Sequence, residues 1–168
     1  MGNIDSANNY AFIDSQNVNL EIKKLGWRLD FTRFRKYLRD KYDVSRAYIF
    51  IGFVPGNERL YTALERYGFE LVFKPTVIDY DGKVKGNCDA ELVLQAMIDY
   101  ENYDRAVVVT GDGDFYCLIK YLYEKGKLER LLVPNRFRYS SLYKTLSPDR
   151  FSFMNQLQVK LEYRKERY

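Results

Sequence analysis

The stretch Arg105-Ala-Val-Val-Val-Thr-Gly-Asp-Gly-Asp-Phe115 decides the fold. Ala106–Val109 is a continuous apolar, mostly β-branched run, the kind a parallel sheet buries on both faces. It stops at Thr110-Gly111-Asp112-Gly113-Asp114, after which Phe115, Leu118, Ile119 and Leu122 recur at helical spacing. The unit reads strand, acidic turn, helix. Open α/β sheets bind ligands just beyond the carboxyl ends of their strands, so two carboxylates separated by one glycine lie where chemistry is usually done. The same residues also suit plain backbone duty, Asp114 as a helix N-cap and Asp112 as a turn residue. The turn by itself does not choose between these readings.

Upstream, the same grammar repeats. Residues 1–9 are polar and read as a flexible N-terminal tail. Residues 10–14 form a first short strand that ends in Asp14, a second strand-end acid, with Asn17 three positions further on. Residues 20–25 look helical up to Gly26. Asp30 then caps a helix whose apolar side carries Phe31, Phe34, Tyr37 and Leu38, and whose Arg33, Arg35, Lys36 and Arg39 read most simply as a solvated face. A strand over 47–53, a helix over 58–67 closed by Gly68, and a strand over 69–73 continue the alternation.

Between Lys74 and Gly86 the alternation breaks, and Asp81-Gly82 predicts a tight hairpin. Lys74, Lys83 and Lys85 flank it, where positive charge can meet a phosphate; loop solubility is the better account of Lys83 alone. The helix over 88–100 turns Leu92, Val93, Ala96, Met97 and Tyr100 inward and carries Asp89 on that side in its first turn, where the helix dipole offsets part of the cost. Capping is the competing role for Asp89, although Asn87 can cap alone.

Downstream of the central unit, Leu128–Val133 is a fifth strand. Asn135-Arg136-Phe137-Arg138-Tyr139-Ser140-Ser141 follows it. Arginines interleaved with aromatics and hydroxyls suit a sugar-phosphate chain, because guanidinium groups pair with phosphate while rings stack on bases. Arg136, Arg138 and Ser141 are therefore candidate RNA contacts. Residues 151–154 suit a last edge strand, and 156–168 a basic C-terminal helix or tail, which leaves one domain over 10–155.

Composition narrows the chemistry. A chain of 168 residues, 46% hydrophobic and 17% aromatic, can bury a full core, so one domain is the default. Lys plus Arg exceed Asp plus Glu by 27 to 23, a mildly basic balance compatible with a polyanion. Histidine is absent. That excludes a His general base, a Ser-His-Asp triad and most zinc sites, so any metal is held mainly by oxygen. Cys88 and Cys117 match no zinc or redox spacing, and reduced thiols in a cytoplasmic protein are expected. No apolar run is long enough to span a membrane, and no signal peptide is seen.

These pieces predict an α/β fold: a single αβα domain with a mostly parallel, doubly wound central sheet. A 3-2-1-4-5 order would set Asp14 beside Asp112 and Asp114 at the topological switch point, with Asp89 opening the helix that leads into the same strand. Four gathered carboxylates repel one another and make sense with a hard divalent cation, Mg²⁺ or Mn²⁺.

Three blocks then carry a resemblance: Phe12-Ile13-Asp14-Ser15-Gln16-Asn17, Lys85-Gly86-Asn87-Cys88-Asp89-Ala90-Glu91-Leu92 and Val109-Thr110-Gly111-Asp112-Gly113-Asp114-Phe115. In this order and spacing they resemble the signature blocks of NYN domains, the PIN-like nuclease group that includes LabA-like proteins. The resemblance implies a metal-dependent ribonuclease site with Asp14, Asp89, Asp112 and Asp114 at the acidic positions and Asn17 at the polar one. Asp14 and Asp112 are expected as direct ligands, with Asp89 and Asp114 binding a second ion or orienting water. Lys74, Lys85, Arg136, Arg138 and Ser141 are expected to hold RNA. Many members carry a further acid two helical turns beyond the position of Asp89, where this chain has Ala96. A catalytically weak RNA-binding module with the same fold is the main alternative, and a metal-dependent phosphatase or a Toprim-like enzyme a third. Self-association into a homo-oligomer is left open.

Overall fold

The computed structural model describes residues 6–74, 77–82, 84–85 and 89–165. Its strands are β1 (Asn9–Asp14), β2 (Val44–Gly52), β3 (Glu70–Lys74), the short ribbon pair β4 (Val77–Ile78) and β5 (Val84–Lys85), β6 (Ala106–Val109), β7 (Leu128–Val133) and β8 (Phe151–Phe153). The main sheet has the order β3-β2-β1-β6-β7-β8, and every pairing in it is parallel. Leaving out the ribbon, this is the predicted 3-2-1-4-5 order with β8 added at the edge.

Alternation along the buried strands divides the core into two layers. Ala11, Ile13, Val107 and Val109 point to one face, where they meet Val18 and Ile22 of α1 (Ser15–Lys24), Phe34 and Leu38 of α2 (Phe31–Tyr42) and Leu64 of α3 (Glu58–Arg66). Phe12, Ala106, Val108 and Leu131 point to the other, against Leu92 and Ala96 of α4 (Asp89–Ile98) and Leu118, Ile119 and Leu122 of α5 (Tyr116–Glu124). β1 and β6 are buried on both sides, which is why they read as unbroken apolar runs. Among the described residues, no helix is long and apolar enough to cross a membrane.

Several details depart from the periodicity. The first helix starts at Ser15, directly after β1, because the Asp14 side chain caps it by accepting from the Asn17 backbone N–H. Met97 is 39% exposed, and Asp99, just beyond the end of its helix, is the residue that is buried. Burial opposes ionisation of Asp99, but hydrogen bonds from Gln95 Nε2 (2.8 Å), Tyr48 (2.7 Å) and Asn102 Nδ2 (3.2 Å) outweigh it and hold the carboxyl below its ordinary range. Arg35 is no solvated side chain: it donates to the carbonyls of Gly68, Val44 and Ser45 and ties α2 to the start of β2 and to the turn before β3. At the C-terminus α6 (Gln158–Leu161) docks on the body, with Leu161 buried and its carbonyl accepting from Asp30 N at 2.8 Å.

Candidate functional site

Parallel pairing of Ile13 with Val109 brings the carboxyl ends of β1 and β6 side by side. Asp14 and the turn after Val109 therefore leave the sheet together and are laced to one another. Thr110 Oγ1 donates to Asp14 Oδ2 at 2.9 Å and accepts from Asp112 N at 3.1 Å. Asn17 donates its backbone N–H to Asp14 Oδ1 at 3.2 Å, and its side-chain Oδ1 accepts from Gly111 N at 2.9 Å. Asp112 Oδ1 in turn accepts from Asp114 N at 3.0 Å. The three backbone N–H groups of Gly111, Asp112 and Asp114 are thus pinned by side chains, which fixes where the carboxylates stand.

Burial pushes the Asp14 carboxyl up to about 6, against the lowering effect of its Asn17 and Thr110 hydrogen bonds, and the charges of Asp89 and Asp112 add to the rise. Asp89 arrives from the first turn of α4. One carboxylate oxygen each from Asp89, Asp112 and Asp114 lies within 4.8 Å of the others. Opposite ligands of an octahedral Mg²⁺ stand about 4.2 Å apart, so this space is the size of one hard cation, and an all-carboxylate donor set suits such an ion. The residues fit a divalent metal.

The sequence expectation made Asp14 and Asp112 the inner ligands, with Asp89 and Asp114 beside them. Here α4 sets its first turn against the β6 turn, so Asp89 joins Asp112 and Asp114, while Asp14 stands at the side within electrostatic reach. Asn17 spends its Oδ1 on Gly111 and acts on the turn.

Beside the acids lies an open cleft of about 500 Å³. One wall is the turn itself, Gly111 to Gly113, and the other is the segment Phe137 to Ser140 that follows β7. The walls approach so closely that glycine is required. A Cβ on Gly113 would stand 2.5 Å from Ser140 Oγ and 2.9 Å from Ser140 Cβ, and one on Gly111 would stand 3.2 Å from Tyr139 Cβ. Ser140 N donates to Gly111 O at 2.9 Å across the junction, and the Tyr143 hydroxyl donates to the Asp112 carbonyl. Burial holds that phenol far above its usual range, reinforced by the charges of Asp112, Asp14 and Asp114.

Glu21, buried in α1, completes the cleft. Its Oε2 accepts from Asn135 Nδ2 at 3.1 Å and lies 3.6 Å from Arg138 Nε, and its Oε1 pairs with Lys24 at 3.1 Å. Arg138 thus borders the acids, and Arg136 stands exposed next to it. Ser141 is exposed outside the cleft, and the hydroxyl that lines it belongs to Ser140. Lys74 ends β3, on the strand face that Val72 shares with Phe12 and Asp14, two strands or roughly 10 Å across the sheet from β1. The side chain of Lys85 lies outside the described residues.

Sequence reasoning missed Glu21, Ser140 and Tyr143. Glu21 meets Asn135 across 114 residues and Tyr143 meets Asp112 across 31, and no local pattern marks such pairs.

A model of the NYN domain matches residues 10–149. The low amplitude and bright protein LabA of Synechococcus elongatus is 30% identical over 124 residues, covering 68% of this chain and 67% of that one. A crystal structure of a protein of unknown function from Vibrio parahaemolyticus matches with a TM-score of 0.75 at 22% identity, over 97% of this chain and 100% of the other, a likeness of fold.

Proposed function

The chain belongs to the NYN domain family, within the PIN-like nuclease superfamily, and from that premise we propose that it is a ribonuclease dependent on Mg²⁺ or Mn²⁺ that hydrolyses RNA phosphodiester bonds. The observation that carries the reading is the convergence of Asp89, at the start of α4, with Asp112 and Asp114, in the turn after β6, on a space of one cation's size. Asp89, Asp112 and Asp114 would hold the metal, and Asp14 would add charge at its side. When bound, such an ion lowers the pKa of coordinated water and neutralises charge on a phosphate, work that a chain without histidine cannot assign to an imidazole.

The protein's own groups do the placing. Thr110 keeps Asp14 Oδ2 in one orientation, while Asn17 and Tyr143 hold the backbone of the acidic turn from either side. Arg136 and Arg138 would grip the phosphodiester backbone on one side of the acids, with Lys74 on the other and Lys85 as a further contact. Ser141 would serve as an outer contact.

Cleavage of a labelled RNA of mixed sequence tests this reading. Wild-type protein should cut it in Mg²⁺ or Mn²⁺ and not in EDTA. Asp112→Asn should lower the rate by orders of magnitude while RNA binding changes far less. Cutting that persists in EDTA, or that survives Asp112→Asn, overturns the assignment.

One observation favours a second reading, an RNA-binding module without turnover: Ala96 stands, fully buried, where many family members carry an acid. In that case wild type and Asp112→Asn bind RNA alike and neither cuts.

A further inference from the structure

Phe137 is 76% exposed, yet the loop that carries it is held at almost every backbone position. Phe137 N donates to Asn135 Oδ1 at 3.0 Å, Arg138 N to Asn135 O at 3.1 Å, Arg136 N to Asn155 Oδ1 at 2.8 Å and Ser140 N to Gly111 O at 2.9 Å. Asn135 itself is buried and anchored on Glu21. A large apolar ring is thus held out into water by a fixed frame, on the lining of the cleft that contains Asp112. Folding gains nothing from that placement, since an exposed ring contributes no burial.

The surroundings state what the ring would meet. The Arg136 guanidinium lies over Phe137 at 5.4 Å from the ring centroid, so a cation stands beside the aromatic surface. Arg138, on the other side in sequence, is oriented by Glu21 through Nε while 61% of its side chain remains exposed. The Glu21 charge is offset by Lys24 and Arg138, so it does not oppose an incoming anion. One flat apolar face flanked by two cations, opening on an acid cluster, complements a ring joined to phosphates on both sides.

Resting on the nuclease reading above, we propose that the cleft is a nucleobase subsite, in which an unpaired RNA base stacks on Phe137 while Arg136 and Arg138 hold the flanking phosphates. The consequence is selection of single strands. A base inside a duplex already has both faces stacked and offers none to Phe137 unless it is first extruded, which costs stacking and pairing. The subsite adjoins Asp112, so a strand seated on Phe137 is delivered to the acids directly.

The test is binding of a fluorescein-labelled deca-adenosine RNA, of the same strand with every base removed, and of a fully paired RNA hairpin. It is measured with Mg²⁺ in the Asp112→Asn background, where the strand is not cut, and with wild type in EDTA. The intact strand should bind more tightly than both the abasic strand and the hairpin. Phe137→Leu, which keeps apolar bulk but removes the aromatic face, should weaken the intact strand about tenfold, the order of one lost base–aromatic stack, and leave the abasic strand unchanged. Phe137→Trp should keep or strengthen the preference.

Unchanged binding of the intact strand by Phe137→Leu, equal weakening of intact and abasic strands, or a hairpin bound as tightly as the single strand would overturn the base subsite and leave the nuclease reading standing. So would a wild-type dimer that Phe137→Leu converts to monomer in sedimentation, since the ring would then serve contact between copies. Failure of either background to bind any of the RNAs would remove the nuclease reading, and the subsite with it.

Discussion

Asp14 shows how one side chain joins fold and chemistry. It caps α1, receives Thr110, and sits where burial and two neighbouring acids make its negative charge costly. Its carboxyl titrates near 6 in the folded chain against 3.8 ordinarily, a gap worth about 3 kcal/mol. Because the folded pKa is raised, the penalty is absent below pH 4, grows as pH rises, and is complete above about pH 6. Without metal, Asp14→Asn should therefore raise the melting temperature at pH 7.5 by several degrees, at about 2–4 °C per kcal/mol for a chain of this size, and the gain should vanish at pH 4. A cation supplies the same relief, so Mn²⁺ should raise the wild-type melting temperature more at pH 7.5 than at pH 5. Destabilisation by Asp14→Asn at pH 7.5 in EDTA would contradict the account. Asp14, Asp112 and Asp114 were legible because each follows a buried apolar strand. Glu21 and Tyr143 were not, because what marks them is a partner brought near only by folding.

At the scale of elements, the site is a junction between two turns, one after β6 and one after β7. Periodicity reveals that such turns exist, since β-branched runs end at glycine, asparagine and proline, but not how closely they pack. The junction allows no extra atom at Gly113, where a Cβ would meet Ser140 at 2.5 and 2.9 Å. Gly113→Ala should destabilise the fold by about 1–3 kcal/mol, as overpacking does. Ser140→Gly in the same chain should recover most of that loss, for it removes both clashing atoms and costs a 3₁₀ cap only a few tenths of a kcal/mol. Thermal melts of the single and double variants decide it, and additive losses would mean that the turns do not meet as described. The same limit explains the helix over Asp89–Ile98. Its pattern suggested Met97 as buried, whereas Asp99, one residue past its end, is drawn inside by Tyr48, Gln95 and Asn102, partners that a helical wheel does not show.

On the scale of the whole molecule, parallel order is what creates the site. With β1 and β6 adjacent at the centre, Thr110 reaches Asp14 across 96 residues of chain through a hydrogen bond, and the helix that enters β6 brings the Asp89 carboxylate to the same edge. The order was readable from alternating strands and helices, while the docking of Leu161 under α2 was not, because a four-residue helix carries too little periodicity to announce a buried face. In the proposed function this architecture gathers three carboxylates to hold one divalent ion. Crystals soaked in Mn²⁺ and measured for anomalous scattering test it most directly. A strong peak is expected at bonding distance, roughly 2.1 Å, from oxygens of Asp89, Asp112 and Asp114. A map with no peak there at millimolar Mn²⁺, or with the ion held elsewhere in the chain, would contradict it.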